Sequence, residues 1–227
     1  MKYSGIKRDT LFLLADNRFR DSKAFYEEHK EEIKAGITVP MRQIAGIIGT
    51  QLAKLDPTMV TNPVRMVSRI RRDTRYTHDK SLYRENMWIM FMRDKHAWTG
   101  YPCFWFEVTP RNYSLGVGFF GAGSAQMKTF REELAARKDE FLKAAAKCEK
   151  QGGLLWGDEY KRSMPGCPAG LEKYYNRKDF GYIIYKDTLE DLESEEIITY
   201  LQKAYKSLSP MFTFMLSVAD KYYSKEE

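Results

Sequence analysis

The stretch Arg65-Met-Val-Ser-Arg-Ile-Arg-Arg-Asp-Thr-Arg-Tyr-Thr-His-Asp-Lys-Ser-Leu-Tyr-Arg-Glu-Asn86 marks a change of hydrophobic period in the chain. Upstream of it, apolar residues recur at the three- and four-residue steps of helices; from Arg65 they recur at two. With Arg65–Arg71 as a strand, Met66 and Ile70 share one face while Arg65, Arg69 and Arg71 take the other. Helices before this point, antiparallel strands after it and helices at the end predict an α+β fold. The chain, residues 1–227, reads as a single domain: an antiparallel sheet of about four to five strands with N-terminal and C-terminal helices packed against it.

Working outward on the N-terminal side, Thr10–Ala15 reads as a short helix that stops near Asn17. Asp21 or Ser22 caps a second helix. Its inner face carries Phe25 and Ile33, and Glu27, Glu28, Lys30, Glu31 and Glu32 form a solvated outer face. A third helix, Pro40 to Leu55, buries a stripe through Met41, Ile44, Ile48 and Leu52. On the C-terminal side, Met87–Arg93 (MWIMFMR) is a central strand covered on both faces. Cys103–Thr109 and Tyr113–Phe120 form a hairpin across Pro110-Arg111-Asn112. Ser114, Gly116 and Gly118 would leave one face of that hairpin bare, for another element or for a ligand. Ser124 caps a helix, and Lys138–Lys150 continues or restarts it. Leu154–Lys178 is irregular, Gly181–Tyr185 is a strand, and a last helix runs from Ser194 to Tyr223, where Pro210 must kink or split it.

Composition narrows the function classes. The 227 residues carry 37 Lys+Arg against 31 Asp+Glu, a net +6, which permits nucleic-acid binding without demanding it. Three cysteines without a CxxC spacing argue against a disulfide framework or a zinc site, and point to a reducing compartment. No signal peptide and no membrane-length apolar run is visible, so a soluble cytoplasmic protein is expected, with no membrane partner. His29, His78 and His96 lack ligand spacing, so no metal is expected. No phosphate-loop, dinucleotide or nucleophile-elbow motif is present, and no cofactor is implied.

The residues 65–86 hold seven cations and three anions, a net +4 out of the chain's +6. Guanidinium groups grip phosphate or carboxylate oxygens in pairs. Arg69 and Arg71 would project side by side, joined by Arg75, Lys80 and the ring and hydroxyl of Tyr83. Lys161 and Arg162, in a loop rich in turn residues, are either a solvated surface pair or a border of the same cleft. Asp73 and Asp79 would orient the cations, or neutralise them in a salt-bridge clasp. As a catalytic pair they are poorly suited, because the neighbouring cations depress both pKa values. Glu107, inside the apolar strand FWFEV, is a supporting carboxylate if it faces inward and pairs with one of the arginines.

The run Arg69 to Tyr83 (RIRRDTRYTHDKSLY) resembles the signature R-I-x-R-D-x-R-F-S-x-D-K-x-x-Y of a bacterial and fungal domain family of unknown function. Leu14 to Lys30, with its FYEEHK run, is similar to that family's opening helices. FWFEVTP and Tyr160–Gly166 resemble its middle section and its L-K-R-x-P-x-G segment. Thr77 replaces the usual serine, and Gly121-Ala122-Gly123 replaces a proline-bearing turn. The resemblance supports a one-domain α+β fold and implies no activity.

Three functions fit these residues. The first is an anion-binding domain, enzymatic or not, for a phosphorylated or carboxylated metabolite held by residues 69–84. The second is a nucleic-acid module in which Tyr76, Tyr83, Trp98, Tyr101 and Trp105 interleave with cations. The third is a structural or interaction domain whose loop is only a clasp. Reaction type and oligomeric state are not encoded legibly.

Overall fold

The computed structural model describes residues 2–94, 96, 97 and 99–225. Five strands, β1 (Met87–Phe91), β2 (Pro102–Val108), β3 (Tyr113–Phe119), β4 (Leu154–Trp156) and β5 (Gly181–Lys186), form one antiparallel sheet in the order β1-β2-β3-β5-β4. The α+β class and the strand count agree with the sequence reading. The chain divides into two compact units, each taking part of β2, β3, β5 and the last helix.

The first unit comprises Met1–Phe91, Trp105–Ser114 and Tyr185–Gln202. Its first helix, α1 (Arg8–Arg20), is longer than the sequence suggests and ends at Asp21, the chain's only described non-glycine residue with positive φ, +46°. Ser22 then caps α2 (Lys23–Ile33), its side chain accepting from the Phe25 amide. The second and third helices expected from the sequence are one continuous rod. A π-turn, Lys34–Thr38, joins α2 to α3 (Val39–Leu52) without leaving helical dihedrals.

Pro40 explains that turn. Having no N–H, it cannot bond the carbonyl of Gly36 four residues back, so the rod widens and Val39 donates to Lys34 five back. The released Gly36 carbonyl accepts from the Lys7 amide at 3.3 Å, which docks the start of α1 against the rod. Ile37, Met41, Ile44, Ile48 and Leu52 are buried at helical spacing and form this unit's core with Leu11, Leu14 and Ile89.

The expected strand over Arg65–Arg71 does not form. Pro63 starts a single helical turn, α4 (Pro63–Met66), capped by the Asn62 side chain. Beyond that turn the chain makes an interrupted hairpin, pinned by isolated bridges between Val67 and Ile89 and between Arg71 and Tyr83. Main-chain bonds from Ser68 to Trp88, Arg72 to Leu82 and Arg84 to Ile70 complete the pairing.

The second unit comprises Met92–Phe104, Leu115–Ile184 and Lys203–Glu227. It contains α5 (Ser124–Ala136), α6 (Lys138–Lys150) and α7 (Glu172–Tyr175). Phe130 sits at the centre of its core, its ring 4.7 Å from that of Phe180 and about 6 Å from those of Phe119, Phe141 and Phe214. The segment read as irregular holds β4 and α7. The final helix, α8 (Glu196–Tyr223), passes through Pro210 unbroken, not split there. Strand β3 is buried along its whole length, so of the two occupants anticipated for its bare glycine face, protein is the one that covers it.

Candidate functional site

The charged stretch divides into two halves with different fates. In the distal half, both aspartates are engaged. Asp73 takes both Nε and Nη2 of Arg75, at 2.9 and 2.6 Å. That fork, with the Arg75 amide, holds its carboxyl at about 2, well below the usual range. Asp79 caps the turn by accepting from the Ser81 hydroxyl and amide, and it also binds Arg72 and, at 3.0 Å, Arg18 of α1. These bonds, Ser81 first, depress its pKa strongly. Lys80 donates to the Thr74 carbonyl at 2.9 Å. Arg84 lies over the Trp88 ring at 4.6 Å, and burial lowers its pKa.

A carboxylate outside the stretch anchors it. Asp21, at the left-handed end of α1, accepts from the amides of Leu82 and Tyr83 at 2.7 and 3.3 Å. Asp and Asn tolerate this backbone conformation better than other side chains, and the short carboxylate reaches the loop directly.

The proximal half behaves otherwise. Arg69 and Arg71 have no ion-pair partner among the described residues, and both line an open cleft of about 410 Å³ in the first unit. The opposite wall is a stripe along the helical rod: Tyr26, Lys30, Lys34, Thr38 and Arg42. These residues stand four apart. Sixteen residues of ideal α-helix rotate about 160° past whole turns, and the extra residue of the π-turn removes about 100° of that drift. The widened turn therefore keeps Thr38 and Arg42 on the side of Lys30.

Five cations thus line the cleft and no carboxylate does. Lys30 and Lys34 are ion-paired with the exposed carboxylates of Glu27 and Glu31, at 3.3 and 3.2 Å. Nε of Arg42 is buried without a hydrogen-bond partner. An unsatisfied buried donor of this kind costs stability unless something in the cleft accepts from it.

Of the residues singled out from sequence, Arg69 and Arg71 meet in the cleft. Tyr83 is buried behind it at 3 % exposure, its ring stacked 4.9 Å from Tyr26, with burial raising its pKa. Arg75, Lys80, Asp73 and Asp79 belong to the clasp. Glu107 pairs with the Asn86 amide, not with an arginine. Lys161 and Arg162 are exposed in the second unit and are not among the residues lining the cleft.

The aromatic set is scattered in its environments. Trp105 is buried, Tyr101 lies under Arg93 at 3.7 Å, Tyr76 is 87 % exposed, and Trp98 lies outside the described residues. Sequence reasoning missed Tyr26, Lys30, Lys34 and Arg42. The four-residue spacing was the available signal, hidden by reading Pro40 as the start of a new helix.

Among the described residues, no group of three or more His, Cys, Asp or Glu side chains is placed to hold a metal ion. No helix among them is long and apolar enough to cross a membrane. Cys103 and Cys148 are buried and Cys167 is partly exposed, all three as thiols.

The fold and cleft define an α+β chain with a hollow lined by five cations, three of them arginines without an ion-pair partner among the described residues. The family described as conserved hypothetical protein (DUF2461) matches residues 9–214, and the chain belongs to that family. A comparison with curated proteins finds no match.

Proposed function

We propose that the cleft of the first unit binds a small anion, a phosphate or carboxylate metabolite. One observation carries this reading: five cations line the hollow, and three of them, Arg42, Arg69 and Arg71, have no ion-pair partner among the described residues. Arg42, with its enclosed Nε, supplies a third guanidinium. Forked donors on two walls suit the several oxygens of one anionic head group, with Tyr26 and Thr38 as further hydrogen-bonding groups.

A thermal-shift screen of phosphates, nucleotides and carboxylate metabolites tests the proposal. A hit should weaken by on the order of ten- to a hundredfold in Arg71→Ala, the loss of one charged hydrogen-bonding group. Arg75→Ala, which lies in the clasp, should leave affinity unchanged. Tight binding that survives Arg71→Ala removes the cleft as the site.

A further inference from the structure

In the second unit, Arg131 is only 6 % exposed and has no carboxylate partner among the described residues. Its one hydrogen bond is a 3.4 Å donation from Nη1 to the carbonyl of Arg177. Burying a guanidinium this deeply is costly when so few of its five donors are used. Its carbon lies 5.9 Å from the ring centre of Tyr160 and 6.0 Å from that of Tyr175. All three line a pocket of about 460 Å³, with Met164, Lys128 and Glu132 also on its wall. Glu132 is an exposed side chain and makes no ion pair with Arg131.

The walls are built in advance. Asn176 accepts from the Met164 amide at 3.1 Å and donates to the Tyr160 carbonyl at 3.0 Å, while the Tyr160 amide bonds the Asn176 carbonyl. Arg177 braces the preceding residues through the Gly157 carbonyl and the Glu159 carboxylate. The loop carrying Tyr160 and Met164 is therefore held in place without help from a ligand.

We propose that this pocket is a second ligand site, for an aryl anion: a flat ring between Tyr160, Tyr175 and Met164, with a phosphate or carboxylate on Arg131 and Lys128. The two tyrosines and the thioether offer ring-stacking and sulfur–aromatic surface, which a bare inorganic anion cannot use. This site is independent of the cleft lined by Arg69 and Arg71.

Phenyl phosphate, benzoate and inorganic phosphate, each titrated into the full chain and followed by amide NMR, test the proposal. Saturable shifts are expected at the amides of Tyr160, Met164 and Tyr175 with an aryl anion, and weaker ones with inorganic phosphate. The stronger of phenyl phosphate and benzoate identifies the head group. Arg131→Lys should weaken aryl binding by about tenfold, since an ammonium lacks the planar fork. Tyr160→Leu, which keeps Arg131, should abolish the preference for the aryl ligand over inorganic phosphate, and it decides the matter if Arg131→Lys does not fold. Arg71→Ala should change nothing here. Absence of aryl-induced shifts at these amides, or an aryl preference retained in Tyr160→Leu, overturns the proposal.

Discussion

Asp73 and Arg75 form the most complete fork in the charged stretch, yet both side chains are more than half exposed. Water screens such a pair, so its role is to set geometry more than to add stability. Its pH behaviour is set by the direction of the shift. A carboxylate whose native pKa lies below its unfolded value contributes above the ordinary range near ~4. That contribution is lost as pH falls through about 2. Carbon-detected NMR titration of the Asp73 carboxyl should give a midpoint near that value, rising towards ~4 in Arg75→Gln. A midpoint already near ~4 in the unaltered protein would show that the fork does not persist in solution.

At the scale of elements, the rod from α2 through the π-turn to α3 is the part on which the cleft depends. Gly36, within the turn, has no room for a side chain: a Cβ there would lie 2.8 Å from the Cβ of Thr10 and 2.9 Å from its Cγ2. Thr10 is buried and β-branched, so it cannot rotate aside. Gly36→Ala should cost about 1–3 kcal/mol by overpacking, measured by urea unfolding, and Thr10→Ala in the same chain should recover part of the loss. A neutral Gly36→Ala would show that α1 is not seated on the turn.

Much of this level was legible in the residues. Ser22 announces its cap, and the stripe from Met41 to Leu52 announces its buried face. Pro110-Arg111-Asn112 announces the hairpin. Two features were not. Pro40 reads locally as a first-turn residue, but the rod continues through it by the π-turn bond from Val39 to Lys34, and Lys7 donates to the freed Gly36 carbonyl. Arg65–Arg71 alternates like a strand, but Pro63 starts a helical turn just before it and only isolated bridges form. The candidate site was half visible for the same reason. Arg69 and Arg71 stand out by charge density, whereas Lys30 and Arg42 look like ordinary solvated cations until the rod is continuous.

For the molecule as a whole, the formal charge of +6 understates a local imbalance. The clasp consumes the aspartates of the charged stretch, and Arg42, Arg69 and Arg71 of the cleft are left without an ion-pair partner among the described residues. Like charges held together repel, so a bound anion should stabilise the fold by linkage. The melting temperature should rise more with sulfate than with chloride at matched ionic strength. The excess should shrink in the Arg69→Ala/Arg71→Ala double variant, which separates it from the general salting effect of sulfate. An identical sulfate response in both proteins would mean that the cleft holds no such anion.

The widened turn carries one more consequence, and it concerns phase. Winding the same residues as ordinary α-helix, with no widened turn, would leave the total charge, the isoelectric point and the count of arginines as they are. It would nonetheless swing Arg42 through about 100° out of line with Lys30. Two chains of equal basicity can therefore differ in whether they own this hollow at all, and the rotational setting of a single helix decides which.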